Sequence, residues 1–131
     1  MKSIDELKQT VENLKVLYVE DEKELHESVG NFLSKFFNHI DNAYNGKEGL
    51  ELFEKQSYDI VISDLLMPIL SGSEMIHIMQ SKRPELFYAI LTGTDLDAGK
   101  SLQCDFTIAK PMNIDSMLLM IEAIFNHTKE N

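Results

Sequence analysis

Apolar positions along the chain alternate between two rhythms, short unbroken runs and stripes that recur every three or four residues. Ile4, Leu7, Val11 and Leu14 lie three, four and three apart, a narrow stripe on one face of a helix. Ser3-Ile4-Asp5-Glu6 in front of it matches a capping box, with Ser3 as N-cap and Glu6 reaching back. A first strand is predicted over 15–20, where Val16, Leu17, Tyr18 and Val19 are apolar without alternation. That pattern signals burial on both faces, as in a parallel sheet. Next comes a helix on which Leu25, Val29, Phe32, Leu33 and Phe36 share a face, then a short, polar-interrupted edge strand over 39–44. Asn45-Gly46 marks a turn before a helix over 47–56.

Ile60 to Ser63, mostly β-branched, predicts a third and central strand. Pro68 stops helix from starting at once, and Gly72 frees the backbone before a helix over 73–81 that turns Met75, Ile76 and Met79 inward. Pro84 ends that region, and 87–91 reads as a fourth strand leading into Thr92-Gly93-Thr94. The segment 95–103 is polar, interrupted by Gly99 and only weakly helical. A fifth strand over 106–109 ends in Lys110-Pro111. A last helix over 113–126 is expected to bury Ile114, Met117, Leu118, Ile121 and Phe125, with His127 to Asn131 a frayed polar tail.

Five alternations of strand and helix predict an α/β fold, a doubly wound, five-stranded parallel sheet with helices on both faces. An extra helix precedes it. Residues 1–14 are expected to form an amphipathic helical extension and 15–131 one domain, with no repeat or linker dividing it.

Composition narrows the function. Hydrophobic residues at 44% and charged residues at 26% are ordinary globular usage and exclude wholesale disorder. With 12 basic and 22 acidic residues the net charge is −10, which disfavours a nucleic-acid backbone as direct partner and suits a metal cation or a basic protein surface. Cys104 is the single cysteine, so an internal disulfide and a cysteine-based zinc site are excluded, and a reducing compartment fits. Residues 1–13 do not read as a signal peptide, and no run is long enough to span a membrane. The expectation is a cytoplasmic protein without membrane contact.

Candidate chemistry sits at the strand ends. Glu20 and Asp21 follow the first strand, Asp64 the third, Thr92 the fourth and Lys110 the fifth. In a doubly wound sheet these carboxyl ends share one edge and meet in one crevice. Three close carboxylates repel one another unless a cation joins them, and an all-oxygen set suits Mg²⁺. An ionised Asp64 beside such an ion can act as a nucleophile toward phosphorus. Lys110, the Thr92 hydroxyl and the amides near Leu66 and Gly93 supply cation and donors for phosphoryl oxygens. Taken singly, Asp64 also reads as a helix cap and Lys110 as a solvated charge; their coincidence at successive strand ends favours a site. His26, His39, His77 and His127 lack metal-ligand spacing and read as solvated or helix-surface residues.

Val19-Glu20-Asp21, Asp64-x-x-Met67-Pro68-x-x-x-Gly72, Thr92-Gly93 and Lys110-Pro111, in this order, resemble the receiver domain of two-component response regulators, over about residues 15 to 126. The resemblance implies a flavodoxin-like fold of the chemotaxis-regulator type, with strand order 2-1-3-4-5. It implies Mg²⁺ held by Glu20, Asp21, Asp64 and the Leu66 carbonyl. Asp64 would take a phosphoryl group from the phosphohistidine of a histidine kinase or phosphotransfer protein, with Thr92 and Lys110 on the phosphoryl oxygens. It also implies a cis Lys110–Pro111 bond. The product would be a signalling domain, not an enzyme, acting on a downstream protein.

Two positions depart from the family. Thr107 stands three before Lys110, where the family usually has an aromatic residue, and Phe106 is expected to face the other way. Only 18 positions separate Thr92 from Lys110, which predicts a shortened or irregular helix over 95–103. These departures move any homodimer contact toward the stripe Ile4, Leu7, Val11 and Leu14. A phosphatase of the haloacid dehalogenase type wants Asp-x-Asp after its first strand, where this chain has Glu20-Asp21. A nucleotide-binding Rossmann module needs glycines at that turn. A receiver-like interaction module that works without phosphorylation is the remaining alternative. The expectation is a stand-alone regulator acting through protein contacts.

Overall fold

The unbroken apolar runs take the middle of a sheet and the polar-interrupted ones its edges. A computed structural model describes residues 2–93 and 103–130. Its strands are β1 (Lys15–Val19), β2 (His39–Ala43), β3 (Ile60–Asp64), β4 (Phe87–Thr92) and β5 (Phe106–Ala109), all parallel, in the order β2-β1-β3-β4-β5. β3 and β4 are buried along their whole length and β1 from Val16 on. The edge strands β2 and β5 each bury a single residue, Ala43 and Ile108. The helices among the described residues are α1 (Ile4–Val11), α2 (Lys23–Leu33), α3 (Gly46–Lys55), α4 (Gly72–Lys82) and α5 (Ile114–Glu130). The segment 95–103, expected to hold a shortened helix, lies outside the described residues except for Gln103.

The pleat sorts the core into two layers. Val16, Tyr18, Ile60, Ile62, Ala89 and Leu91 point to one face, beneath α1, α2 and α5. Leu17, Val19, Val61, Tyr88 and Ile90 point to the other, beneath α3 and α4, where Met75, Ile76 and Met79 turn inward as expected. Strand order reverses between β1 and β3, the switch point where such sheets open a crevice at their carboxyl ends. The registers Val19↔Ser63, Asp64↔Leu91 and Thr92↔Ala109 bring those ends level.

Three expectations need correction. Ser3 does cap α1, its Oγ accepting from the Glu6 N–H at 3.2 Å. The stripe behind it, however, is used within the chain: Leu7 and Val11 are buried against the layer that holds α5, and Leu14 packs partly against it. Of the four, Ile4 alone is exposed. The α1 stripe is thus taken up within the chain, since α1 packs against α5 on the same sheet face.

Ile114 is the first residue of α5 and is 68% exposed instead of buried. Met120 and Ile124 are buried with Met117, Ile121 and Phe125, while Leu118 is half-buried. The helix also continues through His127 to Glu130 in place of a frayed tail. The His127 ring stands edge-on to Phe87 at 5.4 Å, which gives that last turn a tertiary anchor. In β5, Thr107 is exposed and Phe106 packs against the core, facing apart as alternation requires.

Candidate functional site

At the carboxyl edge the backbone leaves three strands close together. Alternation that puts Tyr18 and Ile62 on one face puts Glu20 and Asp64 there too. Glu20 is fully buried and Asp64 is 6% exposed, whereas Asp21 is exposed. One carboxylate oxygen from each of the three lies within 4.8 Å of the others. Lys110 reaches in from the end of β5, its Nζ 3.1 Å from Asp64 Oδ2 and 3.7 Å from Glu20 Oε1. The Lys110 N–H donates to the Thr92 carbonyl at 2.7 Å, and the Lys110–Pro111 bond is cis. Thr92, buried, closes β4 beside them. Glu20, Asp21, Asp64 and Lys110 thus lie together, with Thr92 at the adjoining strand end.

Glu20 is held by its backbone and by one oxygen. Its N–H donates to the Ala43 carbonyl at 3.1 Å, and its Oε2 accepts from the Glu22 N–H at 3.1 Å. Oε1 is buried and accepts no hydrogen bond among the described residues. Burial pushes Glu20 up to about 7; the Glu22 N–H opposes this, the Asp64 charge adds to it, and Lys110 opposes it again. An ammonium shared by two buried carboxylates with a third at hand leaves negative charge uncompensated. The all-oxygen donors and the orphaned Oε1 fit a hard divalent cation. Tyr18, beneath the cluster, is held protonated well above the usual phenol range by burial and by the charges of Glu20, Asp64 and Glu22.

The loop after Asp64 is drawn tightly under the strand end. The Leu65 N–H donates to the Leu91 carbonyl at 3.1 Å and the Gly72 N–H to the Leu65 carbonyl at 2.9 Å. Gly72 was expected to relax the dihedral angles, yet no described glycine has positive φ. Space is the reason: a Cβ on Gly72 would stand 1.9 Å from the Asp64 carbonyl oxygen. The unusual dihedral falls instead on Ile69, with φ 73°, inside a γ-turn closed by the Leu70 N–H on the Pro68 carbonyl at 2.8 Å. The side chains of Leu66 and Ile69 are exposed.

One residue of this neighbourhood escaped sequence reasoning. His26 was expected on a helix surface, but it is buried. Its Nδ1–H donates to the Glu20 carbonyl at 2.9 Å, and its Nε2 lies 2.8 Å from Oδ1 of Asn42. The signal was periodicity: His26 stands three and seven residues before Val29 and Leu33, in phase with the buried face of α2. His39 and His77 are exposed as expected, and His127 is half-buried. Beside the cluster, an apolar groove of about 660 Å³ runs between α2 and α5, lined by Leu25, Val29, Phe32, Met112 and Ile114 and meeting Lys110 at one end.

Comparison with known proteins supplies the family. A family model for the response regulator receiver domain matches residues 16–122. The chain belongs to that family. Among curated relatives, this receiver domain is 32% identical over 110 residues to an uncharacterized transcriptional regulatory protein, YcbL, of Bacillus subtilis, covering 82% of this chain and 49% of that one. It is 31% identical over 112 residues to the response regulator ArlR of Staphylococcus aureus, covering 83% and 51%. The chain therefore spans about half the length of these curated relatives. A crystallised receiver domain protein from Clostridium thermocellum superposes with a TM-score of 0.79 at 28% identity, over 90% of this chain and 98% of that one. A CheY-like receiver from Methanospirillum hungatei, at 23% identity, matches the fold with a TM-score of 0.81, over 90% and 98%. No helix among the described residues is long and apolar enough to cross a membrane.

Proposed function

We propose that Asp64 is the phosphoacceptor of this receiver, with Glu20, Asp21, Asp64 and the Leu66 carbonyl as the ligands of Mg²⁺. The single observation that carries the reading is Lys110 Nζ at 3.1 Å from the buried Asp64 carboxylate, with Glu20 Oε1 3.7 Å from the same ammonium and accepting no hydrogen bond. When bound, Mg²⁺ would neutralise the carboxylates and the incoming phosphoryl oxygens. An Asp64 oxygen forms the new O–P bond as the N–P bond of a phosphohistidine breaks, and the departing imidazole nitrogen takes up a proton. Lys110 exchanges its contact with Asp64 for one with a phosphoryl oxygen, and the Thr92 hydroxyl, at the same sheet edge, donates to another. The chain would thus promote only its own phosphorylation and hydrolysis, without turnover of a separate substrate.

The donor is a sensor histidine kinase or a phosphotransfer protein, and the groove between α2 and α5 offers it an apolar seat next to Lys110. Output passes to a downstream protein, since a chain of net charge −10 is a poor ligand for nucleic acid. Residues 15–131 form the receiver and 1–14 an extension packed on it; a homodimer through that extension is given up, because its stripe is buried. A cytoplasmic location accords with the single free Cys104.

Intact mass after incubation with Mg²⁺ and acetyl phosphate tests the assignment. A Mg²⁺-dependent phosphate adduct is expected on the wild type and absent from Asp64→Asn. Intact Mg²⁺ binding without an adduct would favour a receiver-like module that signals without phosphorylation.

A further inference from the structure

We propose that His26 is a positioning residue for the acid cluster, fixing where the Glu20 carboxylate stands and thereby setting the affinity of the site for Mg²⁺. The inference rests on the receiver reading above and adds a residue to it. Glu20 lies just past the end of β1, where the strand ladder stops holding the chain on both sides. Its N–H is still tied to Ala43 of β2, at 3.1 Å. Its carbonyl is taken by His26, at 2.9 Å. A carbonyl only accepts, so Nδ1 is the donor.

The imidazole is itself immobilised. Nε2 stands 2.8 Å from Oδ1 of the exposed Asn42 of β2, and the ring lies between Tyr18 at 4.6 Å and Tyr44 at 4.3 Å, stacked on the latter at 22°. An apolar ring would fill the space between two tyrosines equally well. Placing both nitrogens, one on the peptide of a metal-ligand candidate and the other on a neighbouring strand, is what separates positioning from packing. With Oε2 on the Glu22 N–H, a slide of the Glu20 peptide would change the distance between Oε1 and the Asp64 oxygens. Groups that orient metal ligands in this way typically change metal affinity 10- to 100-fold when removed.

The test is Mg²⁺ titration calorimetry on the full chain, paired with thermal unfolding in Mg²⁺-free buffer, for wild type, His26→Phe, His26→Asn and Asn42→Ala. His26→Phe keeps the ring and loses the donor, and should weaken Mg²⁺ binding about tenfold. His26→Asn can place its amide N–H near the position of Nδ1 and should recover most of that loss, although it empties space between the tyrosines and unfolds at a lower temperature than the Phe variant. Asn42→Ala should fall between the Phe variant and wild type. This crossing of metal affinity against stability is not produced by packing alone. Should His26→Phe fail to fold, weaker Mg²⁺ binding in the folded Asn42→Ala variant sustains the proposal. Mg²⁺ affinities equal to wild type within about twofold in every folded variant, with the Asp64 adduct still forming, overturn the role of His26 and leave the receiver reading intact. A wild type that binds no Mg²⁺ overturns both.

Discussion

Gly72 lies so close beneath Asp64 that a Cβ on it would stand 1.9 Å from the Asp64 carbonyl oxygen and 2.9 Å from the carbonyl carbon. Both obstructing atoms are backbone, so no side-chain rotation can relieve the clash. Gly72→Ala is therefore expected to push the strand end and the loop apart, destabilising the fold by about 1–3 kcal/mol as overpacked sites do. Urea denaturation measures the stability. Because the displaced atoms belong to Asp64, the proposed phosphoacceptor, adduct formation with acetyl phosphate should slow in the same variant. An alanine variant with wild-type stability would show that the approach is not rigid.

Glu20 ties stability to pH. Its folded-state value of about 7 lies above the ordinary 4.5, so the native state holds a proton that the unfolded chain releases. That stabilising contribution is complete below about 4.5 and is lost as pH rises through 7. In Mg²⁺-free buffer the wild type should lose stability relative to Glu20→Gln across this window in urea unfolding. Mg²⁺ competes with the same proton, so its affinity should climb as pH rises toward and past 7.

Lys110 is the cation closest to Asp64 among the described ion pairs. Lys110→Ala removes the charge that would meet the phosphoryl oxygens, and phosphorylation by acetyl phosphate should fall by about a hundredfold or more. Rapid-quench or mass-resolved time courses at saturating Mg²⁺ separate this from a binding defect. Wild-type rates in the variant would remove Lys110 from the chemistry.

Leu7 is 4% exposed and faces the layer of α5. Leu7→Ala is expected to cost about 2–5 kcal/mol of folding stability, as buried leucine truncations do, and to leave the association state unchanged in sedimentation. A shift from dimer to monomer at unchanged stability would return this stripe to the role of an oligomer contact.

The chain's own sequence determined the order of events along the sheet. Unbroken apolar runs marked β1, β3 and β4 as strands, and polar interruptions marked β2 as an edge; the edge position of β5 followed only from the strand order that the family resemblance implied. A parallel sheet sends every carboxyl end to one side, so Glu20, Asp64, Thr92 and Lys110 could be grouped without coordinates. Periodicity also gave the facing of Thr107 and Phe106.

Tertiary structure decided what each pattern meets. A stripe shows that a helix has an apolar face, but not whether α5 or a second molecule covers it. Ile114 fits the apolar phase of its helix and is nonetheless exposed in the first turn of α5. His26 shares the phase of Val29 and Leu33, but the partners that make its burial tolerable, the Glu20 carbonyl and Asn42, come from two other strand ends. Gly72 looked like a source of dihedral freedom, while its requirement is a distance between two backbones eight residues apart. Each of these depends on atoms brought together by the packing of separate elements. Local periodicity encodes the direction in which a side chain points and carries no record of what stands opposite.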